Sequence, residues 1–211
     1  YYLSRPISAL EAAAPQVRLY GGELHPANEA RYPATFPFPS NVRLVGTVNV
    51  DDTVERLSPR FLSRASVIWM EPAVESFDKP LELPEPPDVP VDWNGVCSAG
   101  SGAAAPSMEA IMRLTTFLHE QRVSGAPTPR SIHGIRAYLS VAQELLPGKV
   151  AEDYQVLQRI LPGIRGVGER YRRVLEELAG MCGRQSWRMS AQRCELIRAR
   201  GEELGDFYDF F

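Results

Sequence analysis

The chain has 211 residues with 23 basic and 26 acidic side chains, 44% hydrophobic residues and three cysteines, an ordinary globular make-up sized for one medium domain or two small ones. No stretch approaches the roughly 18–20 apolar residues of a membrane span, and residues 1–6 have neither the charged start nor the long apolar core of a signal peptide. Cys97, Cys182 and Cys194 are odd in number and far apart, and the three histidines are scattered; this speaks against a disulfide framework or a metal centre and fits a reducing cytoplasm.

Charge is unevenly spread. Residues 1–105 carry a net −5, residues 106–200 a net +6, and the last eleven residues −4. Only Lys79 and Lys149 are lysines. Arginine's planar fork suits phosphate and carboxylate partners, although arginine in place of lysine is also what a GC-rich genome produces.

In chain order, residues 16–20 predict a strand closed by the turn Gly21-Gly22. A proline-punctuated loop over residues 32–39 leads into the apolar, β-branched run 42–50, which predicts a strand buried on both faces. Ser58-Pro59 predicts the start of a short helix, because serine caps and proline fits the first helical position. Residues 65–70 predict a second buried strand. Prolines 72, 80, 84, 86, 87 and 90, followed by Gly- and Ala-rich residues 99–105, predict an irregular connection. Apolar residues at helical spacing then predict helices over 107–122, 131–146, 152–161, 167–182 and 190–200, broken at glycine and proline and packed as a bundle. The expected organisation is α+β: residues 1–75 with few strands, 76–106 as a connecting segment, and 107–211 as a mainly helical domain.

Three features have bland readings. Gly163, Gly166 and Gly168 follow a predicted helix instead of a strand, so they read as a turn rather than a phosphate loop. Arg170, Arg172 and Arg173 are flanked by Glu169, Glu176 and Glu177 and read as a solvated helix face. The acidic, aromatic stretch 206–211 reads as packing on its own bundle.

The block 45–53 followed by 57–68 resembles the sensor-1 strand, arginine-finger helix and following strand of AAA+ NTPases, in the branch of the methylcytosine-specific restriction systems. That resemblance implies Asn49 at the tip of a central strand, orienting the water that attacks the γ-phosphate. It implies Arg64, with Arg60 as second candidate, reaching the nucleotide of the neighbouring subunit to neutralise transition-state charge. Residues 129–139 are similar to the family's sensor-2 helix, which places Arg130, with Arg136 as fallback, against the phosphates. Residues 158–166, Gln-x-x-Leu-Pro-x-x-x-Gly, resemble a helix stop in the same lid, and residues 1–11 a segment that follows the acidic pair of the metal-binding strand. The resemblance makes residues 1–75 the end of an αβ core.

No Gly-x-x-x-x-Gly-Lys-[Ser/Thr] loop occurs in the 211 residues. The resemblance therefore implies the C-terminal half of a ring-forming NTPase that needs ATP or GTP with Mg2+ in the full-length protein, while this chain alone binds none and is inactive. Neighbouring subunits of the ring, a nuclease partner and, indirectly, DNA are the implied partners. The alternative is a non-catalytic helical module that binds nucleic acid or protein through the basic zone.

Overall fold

The computed structural model describes residues 15–21, 23–39, 44–49, 57–70 and 106–211, with Ala9 and Val42. The expected connecting segment falls almost entirely outside the described residues. The protein is mixed α+β and forms two compact units, residues 1–64 and 65–211. Among the described residues no helix is long and apolar enough to cross a membrane.

In the first unit, β1 (Gln16–Arg18) pairs antiparallel with β2 (Thr35–Pro37), with Val17 opposite Phe36. The strand at 16–18 follows its expectation; β2 arises inside the expected proline loop. A two-stranded ribbon consists only of edges, so Pro37 can sit where no donor is required. Phe36 and Phe38 meet edge to face at 5.9 Å.

The apolar run 44–49, expected as a buried strand, is irregular, with Val45 93% exposed. A strand exists through its ladder, and among the described residues nothing pairs with this run. Further on, α1 (Pro59–Leu62) starts as expected: the Ser58 hydroxyl accepts from the Phe61 amide at 3.2 Å, and proline occupies the first turn.

The second unit contains all five expected helices: α2 (Glu109–Glu120), α3 (Pro129–Leu145), α4 (Val150–Gln155) continued by a π turn (Val156–Ile160), α5 (Glu169–Arg184) and α6 (Arg188–Glu203). Their apolar stripes bury Ile111, Leu114, Leu118, Ile135, Leu139, Leu175 and Leu178 in one core. A ribbon of two short strands, β3 (Arg165–Val167) and β4 (Phe207–Asp209), closes the bundle, with Gly166 opposite Tyr208. Residues 206–211 do pack on their own bundle: Tyr208 and Phe210 are fully buried. Gly163, Gly166 and Gly168 are spread over a 3-10 turn, β3 and the residue preceding α5, where Gly168 has φ 81°.

The junction of α4 with the chain beyond it is set by Pro162. Proline has no N–H, so it cannot satisfy the carbonyl four residues back, that of Gln158. The helix widens into the π turn, in which the Leu161 amide reaches the Val156 carbonyl. The Gln158 carbonyl instead accepts from the Val67 amide at 3.0 Å. Residues 65–70, expected as a buried strand, consequently run as an extended segment on the helical unit. Val67 and Trp69 are turned inward, and Ile68 and Met70 are exposed.

Buried carboxylates tie α4 to α6. The first residue before α6, Trp187, offers no side-chain cap. Asp153 takes that role from a distance, accepting from the Met189 and Ser190 amides at 2.9 Å each and from the Ser190 hydroxyl at 2.6 Å. Beside it, Glu152 accepts from the Trp187 indole at 3.1 Å and from Lys149 at 2.7 Å.

Candidate functional site

The second unit presents its chemistry on α3. The Thr128 hydroxyl accepts from the Ser131 amide at 3.2 Å and Pro129 occupies the first turn, so the helix starts at a fixed point. Arg130 is then held in the first turn with its side chain exposed.

Arg136 lies on a different stripe of the same helix. With Pro129, Ile132 and His133 it faces Met112, Thr115, Thr116 and His119 of α2, and these residues line an open cavity of about 500 Å³. His119 donates from Nε2 to the Pro127 carbonyl at 3.0 Å, which fixes its ring across the loop between α2 and α3. The lining holds one guanidinium and two imidazoles and no carboxylate. Such a cavity can hold an anionic or hydrogen-bond-accepting group. It contains no nucleophile beside a base, and among the described residues no cluster of His, Cys, Asp and Glu could hold a metal ion.

The other expected site residues belong to the first unit. Asn49 is exposed in the irregular run 44–49 rather than at the tip of a strand. Arg60 lies in α1 and Arg64 just beyond it, and Arg64 Nη1 donates to the Arg60 carbonyl at 2.7 Å. The structure thus brings Arg60 and Arg64 together at one helix end, and sets Arg130 and Arg136 on separate stripes of α3.

The basic cluster at the start of α5 is consumed internally. Arg172 pairs with Glu169 and Glu176 at 2.8 Å, and Arg173 with Glu169 at 3.1 Å. Arg170 donates to the Gln121 carbonyl. The Glu169 carboxyl is held down at about 2 by the hydrogen bonds from Arg172 and Arg173. This is an ion-paired helix face, as the flanking glutamates led one to expect.

Sequence reasoning missed two things here. The first is the meeting of His119 and His133 across one groove. They are fourteen positions apart, and only the α2–α3 packing joins them. The second is Arg159, which read as part of a helix stop. Its Nε donates to the Ser66 hydroxyl at 3.0 Å, and its guanidinium lies where a Cβ on Gly134 of α3 would stand. Burial pulls this guanidinium below the usual arginine range.

Among the described residues two buried thiols, Cys182 and Cys194, are free and lie in the core; Cys97 lies outside the described residues. The hydrogen bond that the Cys194 thiol donates to Cys182, and then burial, push the Cys194 thiol well above the ordinary range. A thiol so placed is a packing residue rather than a nucleophile.

A family model described as "Domain of unknown function (DUF8727)" matches residues 105–207, from just before α2 to the first residue of β4. No curated protein and no solved structure matches the chain.

Proposed function

We propose that this chain is the C-terminal part of a ring-forming AAA+ NTPase of a DNA restriction system. In this reading the second unit acts as the helical lid, and Arg130 contacts the nucleotide phosphates. The observation that carries the reading is Arg130 itself: an arginine exposed in the first turn of a helix whose start is fixed by Thr128 and Pro129 and whose far side is locked into a core. A charge so anchored loses little freedom on meeting a phosphate, and arginine's fork matches its oxygens. Arg60 and Arg64, side by side at the end of a capped helix, are suited to the finger role toward a neighbouring subunit. In this reading what this chain supplies is charge at the phosphates. ATP or GTP with Mg2+ is bound by the longer protein, which drives a nuclease partner on DNA.

Two measurements test the reading. The purified chain should give no protein-dependent phosphate release from ATP or GTP, and robust release would overturn it. In a protein extended upstream to include a phosphate loop, Arg64→Ala should lower turnover about 10³-fold or more, as expected of a finger acting in trans. Unchanged turnover in that variant would equally overturn it.

A further inference from the structure

We infer that Arg159, with Ser66 and Arg130, forms a binding site for a phosphoryl group on the stripe of α3 that carries Arg130 and Gly134. This inference deepens the proposed function and rests on it only for the source of the phosphate. Three observations place the site. Arg159 is half-buried, yet among the described residues its side chain has only a neutral partner, the Ser66 hydroxyl at 3.0 Å. A guanidinium has five N–H donors, and one hydroxyl oxygen occupies one of them. Holding such a charge partly out of water without an anion is costly, in keeping with burial drawing it below its ordinary range.

The second observation is Gly134. It lies within α3, where alanine would be the better helix former, and a Cβ there would stand 2.5 Å from Nη1 of Arg159, so the guanidinium end would have to shift. The bare glycine lets the guanidinium lie against the helix. The third is register. Arg130 and Gly134 are four residues apart, hence neighbours on one stripe at about 5–6 Å. The Arg159 guanidinium is therefore brought beside the turn that carries Arg130. A guanidinium with donors to spare, the Ser66 hydroxyl and an arginine one helical turn away suit a tetrahedral oxyanion with several acceptor oxygens better than a single carboxylate.

What fixes Arg159 is the π turn. Its hydrogen bond to Ser66 runs beside the Val67 amide bond to the Gln158 carbonyl, so two adjacent links hold residues 66 and 67 against 158 and 159. Arg159 is thereby pre-positioned by backbone geometry instead of by a carboxylate, and it retains donors for a ligand.

The test is calorimetric titration of the full chain with inorganic phosphate, pyrophosphate, ATP and GTP at low salt. The expected result is saturable binding of pyrophosphate or nucleotide that Arg159→Gln weakens at least about tenfold, the loss expected for a charge-assisted pair. Arg172→Gln, whose side chain is already paired, should leave binding unchanged. Because Arg159 also holds Ser66, Gly134→Ala serves as the second variant. It favours the helix while its Cβ shifts the guanidinium end, and it should weaken binding with its far-UV circular dichroism intact. Nucleotides binding more tightly than pyrophosphate would support this site with a nucleotide as the source of the phosphate, and would overturn the expectation that this chain alone binds none. Equal binding of pyrophosphate and nucleotides, sensitive to Arg159, would keep the phosphoryl site and count against a nucleotide as its source. Absence of binding by any of the four probes, or binding indifferent to both variants, would overturn the inference.

Discussion

Asp153→Ala should be among the most damaging single changes in the helical unit, because this one side chain starts a helix to which it does not belong. Asp153 is 3% exposed, and it accepts from two backbone amides and a hydroxyl at the beginning of α6. In the alanine variant the Ser190 hydroxyl keeps a fallback acceptor, the Asp153 carbonyl at 3.1 Å. The Met189 and Ser190 amides lose theirs, and Trp187 offers no replacement cap. The buried Ser190 amide left without an acceptor costs roughly 1–3 kcal/mol, and the lost cap at the part-buried Met189 amide about 1 kcal/mol, so the expected loss is about 2–4 kcal/mol. At roughly 2.1 cal/mol/K per residue for residues 65–211, this lowers Tm by about 6–13 °C. Urea and thermal unfolding followed by far-UV circular dichroism measure the loss directly. Asp153→Asn keeps one acceptor oxygen but turns an amide toward the donors, and should fall between wild type and alanine. Lys149→Ala removes a partly exposed partner of Glu152 and should cost less than about 1 kcal/mol. A loss below about 1 kcal/mol for Asp153→Ala would refute the view that α6 is capped from α4.

Two further outcomes follow from the same geometry. The Glu169 carboxyl, held at about 2 against an ordinary 4.5 by Arg172 and Arg173, has a depressed value in the folded state. Its contribution is therefore present above about pH 4.5 and lost as the pH falls toward 2. Glu169→Gln should flatten the stability–pH curve in that window, and because the pair is exposed, added salt should shrink the difference; a curve that Glu169→Gln leaves unchanged would count against the pairing. Gly125→Ala should destabilise by about 1–3 kcal/mol, since a Cβ there runs into the backbone carbonyl of Gly163. Gly183→Ala, within α5 and facing open space, should stabilise by about 0.5–1 kcal/mol. Opposite signs for the two glycines in denaturant melts are the check, and equal signs would refute the assigned contacts.

What the sequence displayed, and what it hid, divides along the range of the interactions involved. The five helices of the second unit were legible because their signal is local: apolar residues at helical period, and glycine or proline at the breaks. The ribbon of β3 and β4 was not, because three residues around Gly166 carry little strand preference and exist as a strand only through partners some forty positions away. The opposite error occurred at 44–49, where a strongly β-prone run has no partner among the described residues and stays irregular. Intrinsic preference selects strands that pairing then permits, and pairing is the part a single sequence does not display.

The candidate sites divide in the same way. Arg130 was singled out through the resemblance of residues 129–139 to a sensor-2 helix, and the structure places it in the first turn of a helix started by Thr128 and Pro129. Arg159 was passed over because its environment is assembled from distant residues. Pro162 leaves the Gln158 carbonyl to Val67, the hydrogen bond to Ser66 then turns the Arg159 guanidinium, and a missing side chain at Gly134 makes room for it. Each of these residues taken alone has a bland reading as a helix stop, a loop serine or a weak spot in a helix. Only the packing makes them answer one question, namely why a charge is held half out of water with nothing to neutralise it among the residues described. If that question has the answer inferred above, then Pro162 is a determinant of binding although it touches no ligand. Replacing it with alanine should let α4 continue as a regular helix, return the Gln158 carbonyl to an intrahelical donor, and loosen the segment that carries Ser66.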